Sequence, residues 1–347
     1  VNHLKKNFQN ENDLVKKIEI LSAIILSGLV FKEYETNFKI GTKELKKLVE
    51  EFFDNDGFPL SRSIYDLVQS SKFLILIKEC CKDAQEYIPD YLEDIVEKAI
   101  VCLNSIKAPG ANNPLFNGAS EFKISDFYNY LSGLDYKSDI KKKIIGQIYI
   151  LNHKKVFLFL DSGSPPKKKY SKNYQSGPLS FEYYNDENKI VTNCGYGNKI
   201  SEKIEKISRL SSAQSSLTLN DTSVTKFEKN KLINSVFGSA IKNSFKVYDL
   251  NFEENKNFYS ISAKHNAYEN AFGYIHKRSI KIFKKDCNLI GEDSLIFSKH
   301  TKMENKYSIR FHLYPGISAV QTMGGKTILI QVKKNKSLMF TTNGDNL

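Results

Sequence analysis

Leu14, Ile18, Leu21, Ile25 and Leu29 recur at steps of three and four residues, with Lys16, Lys17 and Glu19 between them. That spacing gathers the apolar side chains on one face and predicts a helix from about Leu14 to Leu29. A second stripe of Leu45, Leu48, Val49, Phe52 and Phe53 predicts a helix over about Thr42 to Phe53, stopped by Asp56-Gly57 with Pro59 close behind. Helical patterns follow from about Ser63 to Cys81 and from about Tyr91 to Ile106, and Pro109-Gly110 closes the set. Short connections between them predict antiparallel helical hairpins, and no strand pattern precedes residue 140.

After Tyr136 the period changes. Short β-rich runs occupy Ile145–Ile150, Lys155–Leu160, Leu179–Tyr184, Lys189–Asn193, Ser216–Leu219, Phe245–Leu250, Tyr274–Phe283, Tyr307–Leu313 and Thr327–Val332, the last expected to run on through Ser337–Thr341. Turn residues separate them, and many close strands without intervening helices predict an antiparallel sheet or sandwich. The chain therefore reads as two domains, helical over 1–135 and β over 136–347. It opens on Val1 and ends without a closing strand, so segments are expected to be missing at both ends.

One stretch is denser in chemistry than any other: Ser262 to Phe283 holds His265, Tyr268, Tyr274, His276, Lys277 and Arg278. A period of two places His276, Arg278, Ile280 and Ile282 on one face, and Lys277, Ser279 and Lys281 on the other. Imidazole and guanidinium in a row with isoleucine predict a face that is polar at one end and packed at the other. An edge strand carrying charges for solubility fits the same pattern. His265 and His276 can meet only across a hairpin.

Composition adds a partner class. With 41% hydrophobic and 26% charged residues, this is the make-up of a globular protein, and no apolar run reaches the length of a membrane helix. A net charge of +12 points to a polyanion, although the lysines are dispersed and only Lys167-Lys168-Lys169 forms a run. Five cysteines lack both disulfide-framework and zinc-site spacing. There is no glycine-rich phosphate loop, no nucleophile elbow and no interleaved basic-aromatic stripe, so a nucleic-acid partner has only the charge behind it.

Several segments in order carry a resemblance: NHLKKN at 2–7, DGFPLSRSIY at 56–65, PLFNG at 114–118, SGPLSFE at 176–182 and NCG at 193–195. HNAYENAFGYIHKR at 265–278, GED at 291–293 and RFHLYPG at 310–316 complete it. Together they resemble the heparinase II/III family of polysaccharide lyases, over nearly the whole chain. The resemblance implies an α+β multidomain fold, a partial (α/α) toroid of helical hairpins followed by a large antiparallel β-sandwich domain. It places the front of the toroid and the last strands outside the chain, and the protein in the periplasm or cell envelope.

The chemistry implied is β-elimination on a uronate-containing acidic glycan, which needs a neutralised carboxylate, a base for the C5 proton and an acid for the leaving oxygen. By resemblance Asn2 neutralises the carboxylate, His3 transfers protons, Tyr65 is base or acid, and Tyr268 closes over the cleft. Arg62, Gln214, His265, His276 and Arg278 are expected to bind substrate, with Arg62 and His3 as the cations beside Tyr65. Gln214 departs from the family, which often has histidine there. Glutamine holds a carboxylate but cannot shuttle a proton. The departure keeps a second reading open, a non-catalytic protein that binds acidic glycan or assists envelope-polysaccharide assembly. It also removes a ligand of the zinc that some members carry, since His265 and His276 alone do not make a site, and no cofactor is expected.

Overall fold

The computed structural model describes residues 1–344 except 123, 231, 233, 235–237, 300–304 and 323. Six helices come first: α1 (Asn2–Asn10), α2 (Leu14–Val30), α3 (Glu35–Phe52), α4 (Ile64–Asp83), α5 (Asp90–Ser105) and α6 (Ile124–Gly133). Asp13 starts α2, its Oδ1 accepting from the backbone N–H groups of Val15 and Lys16 at 3.1 and 3.3 Å. Asn2 and His3 thus belong to a short helix of their own. Helix α3 begins seven residues before the expected Thr42, whose hydroxyl instead donates mid-helix to the Phe38 carbonyl at 2.8 Å. Gly41 lets α3 close on α2, because a Cβ there would lie 2.5 Å from Ile25 Cγ1. Helix α6 and the short α7 (Glu202–Ser208) were not expected, although Ile124, Phe127 and Leu131 of α6 recur at steps of three and four and are buried.

The strands are all antiparallel among the described residues. A six-stranded sheet has the order β1 (Ile144–Ile145), β2 (Ile148–His153), β3 (Val156–Asp161), β4 (Phe181–Asn185), β5 (Asn188–Thr192) and β12 (His312–Leu313). A four-stranded sheet runs β10 (Leu289–Phe297), β9 (Tyr274–Phe283), β8 (Phe258–His265), β7 (Val247–Glu254). Strand β6 (Leu217–Leu219) pairs with β11 (Tyr307–Ile309), and β13 (Ser318–Gln321), β14 (Thr327–Lys333) and β15 (Lys336–Thr341) make a separate sheet. Strand β9 spans the run expected of it. Its neighbours β8 and β10 were not expected, because serines and an alanine dilute the apolar alternation of β8 and Gly291-Glu292-Asp293 interrupts that of β10.

The six-stranded sheet is apolar on both faces. Ile148, Ile150, Phe157 and Phe159 pack against helical residues such as Leu45, Ile64 and Leu103 in one core. Tyr149, Leu151, Leu158 and Leu160 point the other way, onto Ile261, Ile280 and Ile282 of the second sheet. Each such side chain contributes about 1.5–3 kcal/mol by leaving water, so neither face is dispensable. The five cysteines are free. Among the described residues no helix is long and apolar enough to cross a membrane.

Candidate functional site

Strand β9 shows the predicted division: His276, Arg278, Ile280 and Ile282 are buried while Lys277, Ser279 and Lys281 are not. His265 on β8 stands opposite His276 in register. The Ala267 N–H donates to His265 Nδ1 at 3.3 Å, so neutral His265 carries its proton on Nε2. That proton is donated to His276 Nδ1 at 3.0 Å, and His276 Nε2 donates in turn to Asp293 Oδ1 at 2.6 Å. Arg278 closes the row with a fork on Asp293, Nε to Oδ1 and Nη2 to Oδ2, both at 2.8 Å. Burial pushes both imidazoles below their ordinary range, only partly opposed at His276 by Asp293. Burial alone would raise the Asp293 carboxyl, but Arg278 and His276 outweigh it and hold the group well below its usual value.

The remaining Arg278 donor, Nη1, reaches the carbonyls of Leu179 and Ser215 at 2.8 and 2.9 Å. Ser215 is a hub. Its N–H donates to Asn193 Oδ1, its hydroxyl to the Thr192 carbonyl, and the His312 N–H to that hydroxyl. The Ser216 hydroxyl donates to the Pro178 carbonyl at 2.9 Å. Residues from SGPLSFE, NCG, HKR and RFHLYPG therefore converge on the segment 211–216, and Asp293 of GED joins them through Arg278, as one hydrogen-bonded assembly.

On the helical side, Ser63 caps α4, accepting from the Asp66 N–H at 3.1 Å. Asp66 faces a crevice of about 60 Å³ lined also by Asp13, Ser61, Lys169, Lys172 and Asn173. Burial, reinforced by Asp13 and offset in part by Ser61 (2.6 Å) and Lys172, raises its carboxyl to about 6. Tyr65, one residue earlier, is half-buried, its ring 5.9 Å from Phe122 and 5.7 Å from Lys199 Nζ. Burial and the charges of Asp66, Asp13 and Glu19 push its phenol up. Loop 113–118 nests against this helix end: a Cβ on Gly118 would lie 2.6 Å from Asn173 Cβ and 3.5 Å from Ser63 Oγ, and φ is +92°. That loop is held by buried Glu182, which accepts from the Leu115 and Asn193 N–H groups and pairs with Lys189 at 2.9 Å, and by Lys189, which donates to the Asn113 carbonyl.

The expected site residues divide accordingly. Asn2 and His3 are exposed on α1, and Tyr65 is accessible; no hydrogen bond joins them among the described residues. Tyr268 is corrected: it is 1% exposed in a core with Leu217, Phe245 and Phe272, and its phenol donates to the Leu217 carbonyl at 3.1 Å. Burial drives that phenol far above its ordinary value, so it neither closes over a cleft nor carries protons there. Arg62 is corrected as well. Its guanidinium is buried and bridges to Asp161, the Gly146 carbonyl (3.1 Å) and the Ser164 carbonyl (3.0 Å), tying helix to sheet. It is thus not the cation beside Tyr65, over whose ring Lys199 lies instead. Gln214, 2% exposed, donates its amide to the Ser208 carbonyl at 2.9 Å. His265, His276 and Arg278 are equally enclosed, so as built these four position the β scaffold and do not face substrate.

A zinc would have to displace these bonds, since each imidazole nitrogen of His265 and His276 already has a partner. The pair does not fit the metal, and among the described residues no three His, Cys, Asp or Glu side chains gather to hold one. Asp66, Asp293 and Glu182 went unassigned in the sequence. Ser63-x-x-Asp66 carries a capping signature that could have flagged the first, whereas the other two needed strand partners not visible in the pattern.

The helices, the apolar double-faced sheet and the motif assembly define an α+β scaffold with an antiparallel β region. The family profile "Heparinase II/III-like, C-terminal" matches residues 145–347, more than half of the chain, and the chain belongs to that family. Among solved structures it resembles heparan sulfate lyase HepC from Pedobacter heparinus, with TM-score 0.69 and 15% identity over 95% of this chain and 53% of that one. It also resembles heparinase III, with TM-score 0.65 and 13% identity over 92% of this chain and 54% of that one. At these identities the likeness is one of fold, and the chain spans about half the length of either structure. No curated protein sequence matches it.

Proposed function

We propose that the chain forms part of a polysaccharide lyase that cleaves a uronate-bearing acidic glycan by β-elimination in the periplasm or cell envelope. The observation that carries this reading is the α4 N-terminus, where Tyr65 remains accessible with its phenol held protonated. In the reaction the C5–H bond breaks, its electron pair forms the C4–C5 double bond, and the C4–O bond breaks. The departing oxygen takes a proton, and Tyr65 supplies it. A phenol pushed up by burial and by nearby carboxylates is suited to that donor role and poorly suited to be the base. Asn2 and His3, exposed on α1, keep the roles of carboxylate neutralisation and proton acceptance that the family suggests.

The test is ultraviolet absorbance of unsaturated uronate, measured with heparan-type, chondroitin-type and alginate-type polymers. Turnover on one of them is expected, abolished in Tyr65→Phe with the melting temperature unchanged. Full activity in that variant would overturn the assignment. A second reading, binding of acidic glycan without turnover, is favoured by the enclosure of Gln214 and Tyr268. It predicts retained binding and no product on every polymer.

A further inference from the structure

An acidic polymer that reaches Tyr65 comes close to carboxylates, since Asp66, Asp13 and Glu19 all act on the phenol. It therefore needs a cation there. Arg62, expected to be that cation, is buried against Asp161. The lysines of the adjoining crevice are engaged as well, Lys172 with Asp13 at 3.5 Å and Lys169 with Glu51 at 2.8 Å. Lys199 differs from them. It is exposed and makes no ion pair with a described carboxylate, and its ammonium lies 5.7 Å from the centroid of the Tyr65 ring. A cation over an accessible ring is held weakly, so a carboxylate arriving at the phenol competes for it readily.

The backbone under Lys199 is fixed from several sides. The Ile200 N–H donates to the Gly197 carbonyl at 3.0 Å and closes the turn, and the Tyr196 N–H donates to the Ala119 carbonyl at 2.9 Å. The Gly197 N–H donates to Ser208 Oγ at 3.0 Å, and the Tyr196 phenol donates to Glu205 Oε1 at 2.6 Å, both on α7. Ser201 caps α7 by accepting from the Ile204 N–H at 3.2 Å, and buried Gln175 donates to the Gly195 carbonyl at 3.0 Å. Only the side chain of Lys199 is left to move, and a ligand there orders one side chain rather than a loop.

In a uronate the carboxyl group stands on C5 and the departing oxygen on C4, the neighbouring ring carbon. A group that protonates that oxygen and a group that binds that carboxylate must stand side by side, as Tyr65 and Lys199 do. An ammonium at the carboxylate also stabilises the negative charge that develops when the C5 proton leaves. We propose that Lys199 is a substrate-binding residue of the Tyr65 site, its ammonium pairing with the carboxylate of a bound uronate. The assignment rests on the reading of Tyr65 given above. It adds to Asn2, because a carboxylate has lone pairs for several donors.

Calorimetry on the whole chain tests it in the Tyr65→Phe background, which removes the phenol proton and keeps the ring under Lys199. The probes are size-defined unsulfated heparan-type, unsulfated chondroitin-type and alginate-type oligosaccharides at low salt, in which the carboxylate is the only charged group. On the tightest of them Lys199→Met should bind about tenfold more weakly, and Lys199→Arg, which keeps the charge, should stay within about threefold of the parent. Lys203→Met, which removes another exposed lysine from α7, should cost less than about twofold. Melting temperatures check that each variant is folded. Undiminished binding in Lys199→Met, an equal loss in Lys203→Met, or no binding of any probe by the parent overturns the proposal. Turnover is read separately: binding that depends on Lys199, with no unsaturated product from the unaltered chain on any polymer, refutes the lyase reading and leaves this assignment standing.

Discussion

Replacing Arg278 by methionine isolates the buried row at the centre of the β region. The side chain keeps its apolar stem and loses the fork. Asp293 then loses two donors at 2.8 Å, and the Leu179 and Ser215 carbonyls lose the Nη1 they share. Breaking one side of a buried pair costs about 3–5 kcal/mol, because the other charge stays behind unpaired. At roughly 2–4 °C per kcal/mol for a cooperative unit of this size, the melting temperature should fall by about 6–20 °C. The pH dependence is more specific. The folded-state values of His265, His276 and Asp293 all lie below their unfolded ones, so across each window the unfolded chain binds more protons. Stability therefore rises with pH, and the normal protein loses stability as pH falls below 6.5, the ordinary histidine value, and again below 3.8. In Arg278→Met an unpaired Asp293 and the absence of the guanidinium favour charged His276, which then serves as the missing cation. The deficit relative to the normal protein should accordingly be larger at pH about 7.5 than at about 5.5. Differential scanning calorimetry at both values reads it. A variant melting within about 2 °C of the normal protein, or a deficit that grows in acid, refutes the reasoning.

Two further outcomes follow from the same logic, one on the helical side and one in the six-stranded sheet. Asp66 has a folded value of about 6 against 3.8 unfolded, so its ionisation opposes folding as pH rises through that range; Asp66→Asn should raise stability at pH about 8 by up to roughly 2 kcal/mol and leave it nearly unchanged below pH about 4, as read from urea titrations. Glu182→Gln keeps an acceptor for the Leu115 and Asn193 N–H groups but leaves buried Lys189 without its counter-charge; a loss of about 3–5 kcal/mol is expected, and a loss below about 1 kcal/mol would show that the Asn113 carbonyl alone suffices for the ammonium.

The helices α2, α4 and α5 and the strand β9 were legible because their buried apolar residues keep the spacing of the element, as Ile18, Leu21 and Ile25 do on α2 and Ile280 and Ile282 on β9. The His276, Arg278, Ile280, Ile282 row was readable for that reason, down to its division into a polar and a packed end. Strands β8 and β10 were not, since their side chains are chosen to complement β9: alanine and serine where Arg278 and its neighbours need room, Asp293 where Arg278 needs a carboxylate. Site residues fared worse than elements. A motif shared with a family marks a position that matters, but does not say whether its side chain points at solvent or at a carbonyl. Tyr268 and Arg62 look like chemistry in the sequence and are fastenings in the fold. Asp66 looks like a helix cap and also faces a crevice.

The first strands have their two apolar faces covered by parts of the chain made at very different times. The helices that cover Ile148, Ile150, Phe157 and Phe159 precede them in the sequence, and Arg62 is in place before Asp161 exists. As the chain emerges from the ribosome, the β1–β3 hairpins therefore meet a prepared partner, and only the opposite face waits for β8 and β9. Residue 145, where the family match begins, is not a place to cut. A fragment starting there would bare a phenylalanine and isoleucine surface, strand Asp161 without its cation and turn the covered sheet into a site of aggregation.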